Sequence, residues 1–399
     1  MKAVSRGMVA LSRSRRFVPI RLVASLCVAV ACLSAVLLVQ TGVSQGAPKR
    51  HAPQRPRCIP SVGTASQWAT FGSGSWPGAC WRPYAAPSPY NQPLPPPSQT
   101  PLARNSAGIV KFMLGLTWHG NRDFSDMPVS NDPSQDEPSQ WDHPLYWAHY
   151  GDPSYTIKDV DYPCEVVKRE TSCPKTVLIP NGAEHALGGD GHLAVVQPDG
   201  TEVDFWQVQN MNPISGGGTL TVSEYGALPI NGSGCCGQAT AATQGLEAGE
   251  VRGQELQAGS INHALTIAVE CSNGTHVYPA AGDGDSCPDT AYAPAVGQRF
   301  QLNMTDQQVD ALNIPAYRKV ILKAMIHYGF YIADVGGGPW DLFFEPALDY
   351  TSFGAPNPFV VYAKQAGLTT GSSYTFTFNG GVDWSKLQVV NVCYTAGTC

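Results

Sequence analysis

The stretch from Gly188 to Gln207 constrains this chain more than any other. Leu193–Val196 is a short apolar run, Pro198-Asp199-Gly200 has turn chemistry, and residues 201–208 alternate in polarity, which together spell a β-hairpin. Side chains two apart in a strand share a face. Glu202, Asp204 and Trp206 therefore point one way, while Val203, Phe205 and Val208 point mainly the other, with Gln207 among them. Two carboxyl groups and an indole on one face suit a sugar-binding groove. They also suit a solvated strand bearing one aromatic ring.

The same pattern recurs along the chain. Short runs at 156–160, 176–179, 219–222, 264–269, 276–278, 359–362, 374–378 and 387–392 are parted by Gly, Pro and Asn. Ser272-Asn273-Gly274 adds a second hairpin turn. This spacing predicts a mainly β protein: an antiparallel β-sandwich or jelly-roll-like domain over residues 106–399. One helical insert interrupts it near residues 305–329, where Thr305-Asp-Gln-Gln308 forms a capping box and Ile314-Pro315 opens a second helix. Tyr317, Val320, Ile321, Ala324, Met325 and Tyr328 form its apolar stripe, with Arg318, Lys319 and Lys323 largely outside. Residues 47–105 are proline-rich and read as an extended arm packed on the domain by Trp68, Trp76 and Trp81. Residues 123–143 read as loop.

The first 46 residues carry six basic and no acidic side chains, and an 18-residue apolar run spans Leu22 to Val39. That is a signal peptide or, if uncleaved, an N-terminal membrane anchor, and the rest of the chain is expected outside the cell. The remaining segment has nineteen basic residues against the chain's 31 acidic ones, a net charge of −12. Such a surface disfavours nucleic acid and anionic membranes and is compatible with neutral polysaccharide. Of 12 cysteines, Cys27 and Cys32 lie in the leader. The ten others suggest disulfides, and proximity favours 58–80, 164–173, 271–287 and 393–399. Cys235 and Cys236 are adjacent, so a vicinal bridge, separate partners and unpaired thiols all stand as readings.

Several blocks are similar to a group of secreted actinobacterial proteins of uncharacterised function. They are Ser88-Pro-Tyr-Asn-Gln-Pro-Leu-Pro95, Asp190-Gly-His-Leu-Ala-Val-Val196, Asp204-Phe-Trp-Gln207, Ala248-Gly-Glu-Val-Arg252 with Glu255, Ile261-Asn-His-Ala-Leu265 and Tyr278-Pro-Ala280. The resemblance spans roughly residues 85–340 and departs at Gly234-Cys-Cys-Gly237 and Gln244-Gly245. It implies class and export, and no chemistry.

Candidate chemistry centres on a few positions. Glu202-x-Asp204-x-x-Gln207 resembles the E-x-D-x-x-E strand of retaining jelly-roll β-glucanases, whose first Glu is nucleophile and last Glu acid/base. Gln207 cannot exchange a proton that way, so the resemblance is incomplete and Glu202 reads first as a surface strand residue. Asp190, His192 and His263 are expected at strand mouths, either as an acid/base set with Asp204 or as a buried hydrogen-bond network. Trp206, Trp147 and Tyr146 are candidate stacking surfaces, with core packing as the alternative. Asp334 precedes Gly336-Gly-Gly338 and reads as a turn residue or a second carboxylate, and Asp283-Gly-Asp285 reads first as a tight acidic turn, with part of a calcium site as the alternative on an incomplete EF-hand pattern. No CxxC, HExxH, GxSxG or phosphate-loop spacing is placed to act, so no metal or cofactor is expected. The expectation is a secreted carbohydrate-active protein, a glycoside hydrolase or polysaccharide lyase acting on an extracellular polysaccharide. The alternative is a non-catalytic cell-wall or carbohydrate-binding protein.

Overall fold

The computed structural model describes residues 71–399 except 73, 116–123, 168–171, 236, 238, 337 and 339. The leader, Cys58, Trp68 and Cys236 lie outside the described residues. The fold is mainly β and sandwich-like, with three sheets and short helices. Numbering strands in chain order, the first sheet runs β2 (Leu145–Trp147), β5 (Leu193–Val196), β6 (Thr201–Val208), β7 (Gly218–Pro229), β3 (Ser154–Tyr162) and β4 (Thr176–Leu178). The second runs β11 (Trp340–Leu342), β8 (Leu265–Val269), β10 (Phe330–Val335), β9 (Arg299–Leu302) and β13 (Leu387–Val389). A small ribbon pairs β1 (Met127–Ser130) with β12 (Ser373–Phe376).

The β5–β6 hairpin forms as its turn chemistry requires, Leu193 facing Phe205 and Val196 facing Glu202. Most ladders are antiparallel, but β2–β5, β3–β7 and β8–β10 are parallel, joined by connections far longer than a hairpin turn. The Ser272–Gly274 turn is present, but the hairpin expected from it is not. β8 lies against β10 and β11, while His276 bridges Val296. Residues 359–362, read as strand, lie in the helix Pro358–Gln365. Asn357 caps that helix by accepting from Phe359 N at 2.9 Å and proline fills its first turn, so a start signal overrides the β-branched run. The segment read as loop before His143 contains β1 and the helix Glu137–Trp141, which Asp136 caps through Ser139 N.

The insert forms as the helices Asp306–Asp310 and Ala316–His327, the first closed by Thr305 and Gln308 in both directions. Arg318 is not outside. It is buried and donates to the carbonyls of Phe378, Asn379 and Gly380.

Alternation sets what each sheet face meets. Phe330 and Ile332 of β10 join the core under the helix, whereas Tyr331 points to the first sheet. On β6, Val203, Phe205 and Val208 fill a core with Tyr155, Leu220 and Tyr225. The opposite face of β6 looks between the sheets, and chain 71–94 fills that layer. Phe71, Trp81, Tyr84 and Tyr90 pack with Trp147, Ala194, Val196, Leu228 and Tyr331. Tyr84 N and Ala85 N also donate to Ile230 O and Gly232 O, each at 2.8 Å. Residues 71–94 of the proline-rich segment are therefore part of the core layer.

Three disulfides join Cys164–Cys173, Cys271–Cys287 and Cys393–Cys399, and Cys80 and Cys235 are also disulfide-bonded. Such a set belongs to an oxidising, extracellular-type environment. No helix among the described residues is long and apolar enough to cross a membrane.

Candidate functional site

The loop before β5 is pinned to the end of β6. Gln207 N donates to Asp190 O at 2.8 Å and Val208 N to Gly191 O at 3.2 Å. Gly191 takes φ +46, and a side chain there would press on the backbone at 207–208, so the close approach needs glycine. The loop so placed delivers the Asp190 carboxyl beside Trp206, whose Nε1 donates to Asp190 Oδ1 at 3.2 Å.

Facing it is the end of β10. Its pairing with β8 slips between Ile332 and Asp334, a bulge that turns the Asp334 side chain out of the regular alternation. The two aspartates line a common cleft of two lobes, with cavity volumes of about 480 and 430 Å3, that meet at Asp190, Asp334 and Val335. The first lobe is bordered by Glu137, Trp141, His192, Asp341 and Phe343. The second is bordered by Tyr162, Trp206, Glu224, Thr240, Asp283 and Asp285. Burial pushes the Asp334 carboxyl up to about 7; N–H donation from Val335 and Ala241 opposes this, and the nearby Asp190 adds to it. Asp341 is pushed up to about 6 by burial and the charge of Glu137. The cleft thus holds carboxyl groups that keep a proton near neutrality, which suits acid catalysis.

The remaining expected residues divide. Asp190 and Trp206 open on the cleft. His192 is in its wall, 4 % exposed, with Nδ1 3.2 Å from Trp141 O and Nε2 3.0 Å from Ala239 O. Burial lowers its pKa, and a neutral ring donates through one nitrogen only, so one of these carbonyls receives its N–H and ties the ring into the cleft wall. His143 stacks edge-on against it at 4.8 Å. Its Nδ1 is 2.8 Å from Glu250 Oε1, yet burial drives both groups to their neutral forms, so this is not an ion pair.

Asp204 does not reach the cleft. It and Glu202 are fully buried, which also overturns the reading of Glu202 as a surface residue. The second sheet and the 71–94 chain cover that face of β6, and the 234–247 loop seals it. A side chain at Gly237 would meet Asp204 Oδ2 and one at Gly245 would meet Tyr84 Oη, so both positions need glycine. Tyr84 donates to Glu202 Oε1 at 3.0 Å and Leu246 N to Asp204 Oδ2 at 3.2 Å. Burial pushes both carboxyls up, Asp204 further because Glu202 faces it. They form a shared-proton pair within the fold.

His263 lies in another cluster, where its Nε2 donates to Glu255 Oε1 at 3.0 Å. Burial would raise Glu255, but Arg252 and then His263 hold it below its ordinary value. Arg252 also lies over the Trp81 ring at 5.1 Å and reaches the Gly78 and Trp81 carbonyls, so this trio clamps the proline-rich segment. Tyr146 and Trp147 are 1 % and 2 % exposed and offer no open ring face; core packing, the alternative reading, describes both.

Thr240, Thr243, Glu137, Glu224 and Asp341 escaped sequence reasoning. Thr243 takes φ +55, and Glu137 reaches the cleft on a helix whose end is tied to the 187–188 loop by Leu187 N to Ser139 O and Gly188 N to Gln140 O, neither of which leaves a local signature. Fold and site together define a mainly β, disulfide-bonded protein with an acidic, aromatic-bordered cleft. No protein-family model, curated protein or solved structure matches the chain.

Proposed function

We propose that this is an exported glycoside hydrolase whose two-lobed cleft holds an extracellular polysaccharide. One observation carries the reading: Asp334, with a carboxyl that keeps its proton up to about 7, shares an open cleft with Asp190. Glycoside hydrolysis needs one carboxylic acid to protonate the leaving oxygen and a second carboxyl to assist attack at the anomeric carbon. Asp334 takes the first role and Asp190 the second, while Trp206, Tyr162 and Trp141 border the cleft as stacking surfaces for sugar rings. Hydrolysis is favoured over a lyase reaction. Elimination beside a uronate carboxylate calls for cationic groups to offset its charge, and no Lys or Arg borders either lobe among the described residues.

The test is a polysaccharide panel read for new reducing ends and for unsaturated products. Asp334→Asn should lower reducing-end release at least about a hundredfold, the scale of general acid catalysis, and leave binding intact. Binding without any product would instead identify a non-catalytic carbohydrate-binding protein.

A further inference from the structure

Strand register places an aromatic pair along the second lobe. Trp206 of β6 pairs with Glu224 of β7, and Glu224 pairs in turn with Tyr162 of β3, so the three side chains share one face of the sheet. The Trp206 and Tyr162 rings have centroids 6.1 Å apart and planes inclined by 42°, and Tyr162 is 51 % exposed. Both rings border the second lobe.

The first lobe has a platform of its own. Trp141 ends the helix Glu137–Trp141, borders that lobe and is 46 % exposed. Its indole is backed by the loop before β5. Gly188 packs so close that a Cβ there would come within 2.8 Å of two ring carbons, and Gly188 N donates to Gln140 O at 2.8 Å. One side of the ring is thus fixed by backbone while much of its surface stays open.

The two platforms flank the reacting pair. Trp141 borders only the first lobe, Trp206 and Tyr162 only the second, and the lobes share Asp190, Asp334 and Val335. The two aspartates are half-buried, whereas Glu137 and Trp141 in the first lobe and Tyr162, Asp283 and Asp285 in the second are exposed. Lobes of about 480 and 430 Å3 both fall within the range of roughly 300–1,000 Å3 typical of small-ligand sites, so each has room for sugar of its own. A site that trims chain ends needs one side of its reacting groups walled off. Here both sides offer open, ring-bordered space.

We propose that one polysaccharide chain occupies both lobes at once, against Trp141 on one side of Asp190 and Asp334 and against Trp206 and Tyr162 on the other, so that interior segments of the polymer are the substrate. Occupancy of both lobes rests on the carbohydrate reading of the cleft and adds to it which part of the polymer is cut. Hydrolysis at the junction breaks one interior C–O bond. The leaving oxygen takes a proton, the anomeric carbon takes the hydroxyl of water, and two shorter chains result.

The experiment uses the best polymer of the panel and its oligomers from dimer to hexamer. Viscosity should collapse while new reducing ends are still few, and kcat/KM should rise at least about tenfold from dimer to hexamer as sugars fill both lobes. Trp141→Ala and Tyr162→Ala should each weaken hexamer binding, read by calorimetry, roughly three- to tenfold, the scale of one aromatic contact. In a hexamer labelled at its reducing end the two substitutions should move the cut in opposite directions, which a loss of folding would not do. Release of only mono- or disaccharides with viscosity preserved overturns the occupancy of both lobes and leaves the hydrolase reading standing. Hexamer binding weakened by only one of the two substitutions also overturns it. Binding weakened by both, without new reducing ends, supports occupancy of both lobes and overturns hydrolysis. Failure to bind any sugar overturns both.

Discussion

The Trp206 indole donates its N–H to Asp190 Oδ1 at 3.2 Å, so one ring is tied at its edge to a cleft carboxyl while bordering the second lobe. Trp206→Phe keeps a ring and removes the donor. A lost hydrogen bond of about 1 kcal/mol predicts roughly a fivefold fall in turnover with little change in KM. Trp206→Ala also removes the stacking surface and should raise KM. Steady-state kinetics on the best polymer of the panel checks both, and identical KM for the two variants would remove the ring from substrate binding.

Tyr84 holds the proline-rich segment onto β6 through Glu202 Oε1, 118 residues along the chain. Tyr84→Phe preserves the packing and leaves buried Glu202 Oε1 with only the longer 3.4 Å donation from Glu247 N, a loss of about 1 kcal/mol. Chemical denaturation should report that loss. Because the phenol hydrogen bond lowers the Glu202 pKa, the variant should also keep Glu202 protonated to higher pH. An unchanged midpoint would mean that the contact contributes nothing net.

Much of this was legible locally. Alternation in 201–208, the Pro198–Gly200 turn and the Thr305–Gln308 box each encode their own geometry, and each forms. The cleft was half legible: the Asp190–His192 loop and Trp206 stand out because they flank a readable hairpin. Asp334 could be read only as a turn residue or a second carboxylate, because its exposure depends on a bulge against a strand more than sixty residues earlier. Nor could the burial of Asp204 be read, since alternation assigns a face without saying what covers it. Here the cover is the proline-rich chain and a glycine-bearing loop. Long parallel connections, such as β3 to β7, likewise leave no local mark.

The buried carboxyls give stability a definite pH dependence. Burial raises Asp136 to about 6 and raises the Glu202–Asp204 pair, Glu247 and Glu250 as well. The folded chain therefore keeps protons that the unfolded chain releases. This stabilisation is fully present below the ordinary carboxylate value and is lost as pH rises through the folded values, by about 1.4 kcal/mol per pH unit for each group titrating alone. His143 and His192 act oppositely: burial lowers both, and the stability they contribute is lost only as pH falls below the ordinary 6.5. Between pH 6.5 and 8.5 the carboxyls decide the sign, so the melting temperature should fall across that interval. Glu202→Gln should flatten the slope. A melting temperature that rises from pH 6.5 to 8.5 would contradict the buried protonated cluster.

The Cys271–Cys287 bridge bears on the cleft as well as on stability. Its Cα atoms are 5.0 Å apart across a separation of 16 residues, and it closes the chain that carries Asp283 and Asp285. Ser272 reinforces the closure: its N–H donates to Asp285 O at 2.8 Å, and its hydroxyl lies 3.1 Å from Gly284 O. A loop of this length contributes about 3 kcal/mol by constraining the unfolded chain. Cys271→Ala/Cys287→Ala should lose about that much in denaturant titration. It should also weaken oligosaccharide binding several-fold, because the two aspartates at the second lobe would no longer be held. A variant with full affinity but lowered stability would confine the bridge to the fold. An unchanged denaturation midpoint would refute the stabilising role itself.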